Sequence, residues 1–365
     1  MNIDELSVRL GEVIEPDLCD SLSNLGMLSK VVKVGGRYRV TLFTYPAVEG
    51  YFDPVADQLE AVAKEYGVNL EIEAKGMDDR QLSQLALVVS KDIEGSPERQ
   101  NRLMVPGTSI RILGFSSGKG GVGKSSVTVG VAVALAKAGY RVGILDADVY
   151  GFSIPKMLGI VRAPSLIGKL MVPPVSYGIK TMSVGYFVSD DTPVIWRGPM
   201  LHKALEQFLF DVGWGALDFL CVDLPPGTGD VTLSVAEYLP KVETYVVTTP
   251  QEAAERVAQR SALAAKKLKL SLRGVIENMS YFVGGDGVQY EIFGSGGGDR
   301  LAKSLGIDLL GQIPLDVELR HGGDIGRPIG VVEPDSSSAK AFDSIAASIV
   351  KLGPARIYKK ELKVR

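Results

Sequence analysis

From Ile110 onward the chain alternates between short unbroken apolar runs and longer segments of mixed character. The runs fall at 111–117, 141–147, 179–184, 218–223, 243–248, 273–277 and 307–313. Continuous apolar character over so few residues marks strands covered on both faces. Between them, helices are expected directly after residue 124 and at 199–212, 230–239, 251–269, 295–305 and 337–352. This alternation predicts an α/β fold whose mostly parallel sheet is flanked by helices.

The N-terminal part has its own pattern. Ile3, Leu6, Leu10 and Val13 fall at helical spacing, as do Val55, Leu59, Val62 and Tyr66, and then Leu82, Leu85 and Val89. Residues 38–43 alternate like a strand after a Gly35-Gly36 turn, and Leu70 with Ile72 suggests another. Gly95, Ser96, Pro97, Pro106 and several charges then mark a linker. The expected division is a small α/β domain at 1–91, a linker at 92–108, a second domain at 109–353 and a basic tail at 354–365.

Composition narrows the class. Of 365 residues, 45% are hydrophobic and 23% charged, as in a globular domain. The net charge of −3 leaves no electrostatic footprint for nucleic acid. No apolar run is long enough to span a bilayer, and Met1-Asn2-Ile3-Asp4-Glu5 lacks a basic-then-apolar leader, so the cytoplasm is the expected location, with no membrane partner. Two cysteines, Cys19 and Cys221, and two histidines, His202 and His321, form no Cys-x-x-Cys and no close cluster, which argues against structural zinc.

The chemistry begins at Gly118-Lys119-Gly120-Gly121-Val122-Gly123-Lys124-Ser125-Ser126. It fits the phosphate-binding pattern G-x-x-x-x-G-K-[ST], between an expected strand and an expected helix. The glycines let backbone N–H groups approach phosphate oxygens, and the helix N-terminus adds partial positive charge. Lys124 is the expected contact to the terminal phosphates and the Ser125 hydroxyl a ligand to Mg²⁺. Carboxylates stand where strands end: Asp146 and Asp148 after one, Asp223 after another. Asp223 suits the second Mg²⁺ contact, and the Gly227 N–H in the stiff turn after it suits a γ-phosphate sensor. Chemistry alone leaves open whether Asp146 or Asp148 faces an attacking water.

The glycine loop, with its extra Lys119, resembles the deviant phosphate-binding loop of the MinD/ParA/nitrogenase iron protein class. Asp146-Ala147-Asp148, Ile195-Trp196-Arg197-Gly198-Pro199-Met200, the turn 223–230, Glu277-Asn278-Met279-Ser280 and Ile292-Phe293-Gly294-Ser295 narrow the resemblance. In that order they are similar to the Mrp/ApbC family of iron–sulfur cluster carrier ATPases. The first domain resembles the MIP18-like (DUF59) module often fused ahead of it. The resemblance implies a homodimer that binds ATP, hydrolyses it slowly, and passes iron–sulfur clusters from scaffold to client proteins. It implies that Lys119 reaches the partner's nucleotide, that Asp148 orients water, that Asp223 sits at the metal and that Asn278 contacts adenine. A buried structural amide is the alternative for Asn278.

The departure from that family is as informative as the match. Where relatives carry the cluster-binding Cys-x-x-Cys, this chain has Gly284-Gly285-Asp286-Gly287, which reads as a hairpin turn. Where the first domain of relatives carries a cysteine, Val48 stands here. No protein thiolate is therefore expected at 284 or 287. Cys221 is expected in the core, and Cys19 is the better-exposed thiol. Three readings follow: a cluster carrier, an ATP-dependent dimeric switch that has lost the cluster, and a MinD- or ParA-like positioning ATPase. The last would need a membrane-binding or basic face. Phe342, Ile345 and Ile349 give an apolar stripe better suited to closing the sheet.

Overall fold

The structure, a computed structural model, describes residues 3–90, 103, 108–149, 151–187, 198–227 and 230–355. The expected linker, apart from Leu103 and Thr108, and the tail from 356 lie outside the described residues, as do Tyr150, residues 188–197 and 228–229. The chain forms two compact units.

The first unit comprises residues 1–99 together with two later segments, 162–175 and 211–216. Its sheet runs Val32–Val34, Arg37–Thr44, Leu70–Gly76, the first pair antiparallel and the second parallel. Gly35 and Gly36 join the first two strands with φ of 54° and 85°, as a two-residue hairpin with both central residues left-handed requires. Helix Asp53–Glu65 makes the crossover to the parallel strand. Leu6, Leu10, Leu42, Val55, Leu59 and Leu85 form the core, joined by Ile167 and Val172 of a later hairpin. Beneath the turn after the first helix, the buried Glu15 carboxylate accepts from the Tyr45 and Tyr51 hydroxyls at 2.8 and 2.5 Å. Buried Asp17 pairs with Arg162 and accepts from the Val175 N–H at 2.9 Å.

The second unit is built on an eight-stranded sheet. In spatial order its strands are Val175–Ser176, Ile179–Ser183, Val142–Asp146, Phe219–Asp223, Arg111–Ser117, Glu243–Thr248, Ser271–Glu277 and Leu309–Gln312. The seven from Ile179–Ser183 onward are parallel throughout. This is the α/β sheet that the alternating runs predict, and its register matters for chemistry. Ser183 lies opposite Asp146, and Asp146 opposite Asp223, all at the carboxyl ends of their strands. Ligands bind at that edge in open α/β sheets.

Three short helices escape the sequence pattern: Ile154–Met157, Val317–Asp324 and Ile329–Val332. Each is too short, or too interrupted by glycine, to show a full apolar stripe. The closing helix Ser337–Leu352 turns Phe342, Ile345 and Ile349 into the core. Phe342 packs so tightly on Gly130 that a Cβ there would lie 2.4 Å from its ring. The stripe is thus consumed by packing, and no helix among the described residues is long and apolar enough to cross a membrane. At the opposite edge of the sheet, Arg111 donates to both oxygens of buried Glu243 at 2.9 and 2.7 Å. Its third contact is to the Ile349 carbonyl at 2.8 Å.

Candidate nucleotide site

The glycine loop joins Arg111–Ser117 to helix Lys124–Lys137, as its pattern requires. Gly123 caps that helix with φ of 78°, and a Cβ there would fall 2.2 Å from the Asn278 amide nitrogen. A Cβ on Gly118 would lie 2.3 Å from the Ala258 backbone nitrogen. Only glycine fits either place. The loop borders a cavity of about 680 Å³, walled by Lys119 to Ser126, Asp148, Leu201, Pro225, Pro226 and Val231, among others.

At the cavity floor five side chains converge. Lys124 Nζ lies 2.7 Å from Asp223 Oδ2 and 3.3 Å from Asp148 Oδ2. The Ser125 hydroxyl donates to Asp223 Oδ2 at 2.6 Å, and the Thr128 hydroxyl to Oδ1 at 2.8 Å. Asp223 has no solvent exposure and Lys124 only 6%. This buried ammonium is thus held between two carboxylates. Thr128 was not singled out from sequence. It lies one turn beyond Lys124 and is the polar exception in the otherwise apolar stretch Val127 to Ala136, a signal present in the sequence.

The paired aspartates differ in placement. Asp148 stands on the cavity wall; Asp146 lies beneath it and is not part of the lining. Asp146 accepts from the Ser183 hydroxyl at 3.0 Å and the Asp148 N–H at 3.2 Å. Burial, then the neighbouring Asp223 charge, pushes the Asp146 carboxyl up to about 8, against the pull of Lys124. Burial also raises Asp148, which Lys124 partly offsets.

Gly227, Asn278 and Lys119 occupy three different settings. The Gly227 N–H donates to the Ser117 carbonyl at 2.8 Å, and Gly227 is not in the cavity lining. Pro225 and Pro226 present that turn to the cavity instead. Asn278 is buried, with its amide donating to the Val122 carbonyl at 2.9 Å, so it braces the loop from behind. It also lines a second cavity, of about 580 Å³, with Met279, Phe282, Leu315 and Val317. Both cavities share Ser126, Ser153 and Met157. Lys119 lines the first cavity, its Nζ 3.5 Å from Gln251 Oε1.

Residues 284 and 287 lie in a hairpin, Phe282–Val283 pairing antiparallel with Gln289–Tyr290. Gly287 has φ of 78°, and a Cβ on Gly284 would meet Asp286 Oδ1 at 2.6 Å and the Tyr290 ring at 2.8 Å. The Tyr290 hydroxyl donates to Asp286 at 2.8 Å, closing a turn shaped around glycine. Cys221 is fully buried, and burial pushes its thiol far up; Cys19 is exposed in the first unit. Among the described residues no three His, Cys, Asp or Glu side chains gather as a metal site.

A parallel sheet, a glycine loop at its carboxyl edge and a Lys–Ser–Asp floor define a P-loop NTPase. The family model for the NUBPL iron-transfer P-loop NTPases, of the ParA type, matches residues 109–350, and the chain belongs to that family. The iron-sulfur cluster carrier protein of Synechocystis sp. is 41% identical over 358 residues, covering 96% of this chain and 97% of that protein. The iron-sulfur cluster carrier protein of Mycobacterium tuberculosis is 42% identical over 353 residues, covering 93% and 91%. Among solved structures, a nucleotide-binding protein from Archaeoglobus fulgidus in complex with ADP is 34% identical. It aligns with a TM-score of 0.54 over 64% of this chain and 93% of that one. The Pyrococcus furiosus cell division ATPase MinD shares the fold at 23% identity, with a TM-score of 0.51 over 66% and 99% of the two chains.

Proposed function

We propose that this chain is a cytoplasmic, ATP-dependent iron–sulfur cluster carrier that works as a homodimer and hydrolyses ATP slowly. The observation that carries this reading is the cavity floor, where Lys124, Ser125 and Asp223 meet with Asp148 on the wall. The buried Lys124 ammonium, at the end of the glycine loop, suits a phosphate oxygen, to which it would make charge-assisted hydrogen bonds. Ser125 and Asp223 offer the hard oxygen ligands that suit Mg²⁺, whose charge would neutralise the phosphates beside two carboxylates. Asp148, on the cavity wall, is assigned to orienting water, which its position in the lining supports. Among the described residues no glutamine or arginine lines the phosphate cavity, so hydrolysis is expected to be slow. The second cavity, apolar on the Met279 and Leu315 side and edged by Asn278, suits a flat purine. Lys119, on the rim, is assigned to the partner's nucleotide in the closed dimer.

The cluster is cargo, and the chain's own thiols fit it poorly. A [4Fe–4S] cluster takes four thiolates. Here Gly284 and Gly287 supply none, Cys221 is buried, and only Cys19 reaches solvent. A carried cluster would therefore draw most of its ligands from client proteins or small thiols. The same hairpin favours a second reading, an ATP-driven dimeric switch that no longer holds a cluster. Anaerobic reconstitution of the full chain, with iron and sulfide counted per dimer and transfer to an apo-ferredoxin measured with ATP and with ADP, separates them. Stable iron uptake followed by transfer supports the carrier; neither uptake nor transfer leaves the switch.

A further inference from the structure

His202 is one of two histidines in the chain, and the phosphate chemistry makes no use of it. It lies on helix Gly198–Phe210, and both ring nitrogens engage the neighbouring helix Asp230–Tyr238. Nδ1 is 2.9 Å from the Ser234 hydroxyl, and Nε2 is 2.6 Å from the Tyr238 hydroxyl. Ser234 and Tyr238 are four residues apart, so they lie one above the other on a single helix face. The His202 and Tyr238 rings are 4.7 Å apart, and Tyr238 also meets Phe210 edge-on at 6.0 Å. Two side chains of one helix thus clasp two of the other.

What these helices share gives the clasp a role. Leu201, next to His202, lines the phosphate cavity, and so does Val231 at the start of the second helix. That second helix begins three residues after Gly227, in the turn that follows Asp223. A change in this turn on loss of a phosphate would shift Val231 and its helix first. The first helix has no covalent link to the turn, and it presents Met200 and Lys203 to solvent.

We infer that His202 is a positioning residue that locks helix Gly198–Phe210 to helix Asp230–Tyr238, so that both follow the phosphate state of the cavity. This rests on the ATP-site reading above. Dispersion contacts alone slide easily between helices. Two directed hydrogen bonds to one planar ring fix both rotation and register.

The test uses the full chain and compares hydrogen exchange with a non-hydrolysable ATP analogue and with ADP. In wild type, amides of both helices should change between the two nucleotides. In His202→Phe, which keeps the ring and removes both hydrogen bonds, helix Asp230–Tyr238 should still respond and helix Gly198–Phe210 should not. His202→Gln, which retains an amide donor and acceptor, should restore part of the response. Turnover in His202→Phe should fall about tenfold with KM for ATP within about twofold, the pattern of a lost step after binding. Wild-type response in both helices of His202→Phe overturns the inference, as does a wild-type helix Gly198–Phe210 that ignores the nucleotide. Equilibrium binding of ATP to wild type, measured alongside, keeps the two claims apart. Without binding, the nucleotide-site reading falls; binding without a linked response removes only the coupling.

Discussion

Lys124→Ala is usually read as a loss of nucleotide affinity, but here it also removes the cation that pairs with Asp148 and Asp223 in a buried carboxylate cluster. Asp223 has no solvent exposure, and Asp148 is 7% exposed. With Lys124 gone, both face each other and Asp146 without compensation. Breaking a buried pair by deleting one partner costs about 3–5 kcal/mol. A ceiling follows independently. The stranded carboxylate can escape by taking a proton, and at pH 7.5 protonating a group of ordinary pKa 3.8 costs ~5 kcal/mol, at about 1.4 kcal/mol per unit. At pH 5 the same ceiling is ~2 kcal/mol. The sign is fixed by linkage. A carboxyl whose folded pKa is raised favours the fold at low pH and loses that contribution as pH rises through the raised value. The deficit of Lys124→Ala should therefore be about 3–5 kcal/mol at pH 7.5 and no more than ~2 kcal/mol at pH 5. Native-state hydrogen exchange of Phe219–Asp223, without nucleotide, reads the opening free energy of this unit alone. Adding Asp223→Asn should recover much of the loss. A deficit under ~1 kcal/mol, or one of equal size at both pH values, refutes this account of the floor.

Lys119→Ala should bind ATP with near wild-type affinity yet fail to dimerise when ATP is added, as followed by sedimentation; unaltered ATP-dependent dimerisation removes Lys119 from the closure. Asp146→Asn mimics the protonated carboxyl. Because burial and the Asp223 charge push the folded carboxyl up to about 8, wild type should lose stability between about pH 4 and pH 8 by this group, and the variant should show a flatter profile in urea unfolding. An equally steep profile would mean that Asp146 is charged throughout. The pair Gly284→Cys and Gly287→Cys should weaken the hairpin by about 1–2 kcal/mol, since residue 287 holds φ of 78°, while raising iron bound per dimer after anaerobic reconstitution. Iron content no higher than wild type would show that two thiols are not what this hairpin lacks.

Much of this architecture could be read from the chain because buried parallel strands leave a strong mark. Each of the seven apolar runs lies in the sheet, and the loop motif sits between the strand and helix that its chemistry demands. What escaped was set by tertiary register. Nothing local distinguishes Asp146 from Asp148, two residues apart beyond a strand end. The difference arises because Asp146 lies opposite both Ser183 and Asp223, residues distant in sequence. Asn278 shows the same limit. Its amide chemistry was legible, but its partner, the Val122 carbonyl, depends on how the loop backs onto the end of a strand that begins at Ser271. The helix Val317–Asp324 was missed because Gly322 and Gly323 erase its pattern.

Arg111 opens the strand that leads into the phosphate loop, yet its partners arrive late. Glu243 lies 132 residues further along, and the Ile349 carbonyl 238. During synthesis, then, the guanidinium waits for 238 further residues to be made. Contacts so distant in sequence slow folding and lengthen the interval in which apolar strands lie uncovered. The phosphate loop is encoded at residues 118–126, but the strand that leads into it gains its last partner only once Ile349 has been made. Chaperone demand and sensitivity to C-terminal truncation should concentrate in this unit.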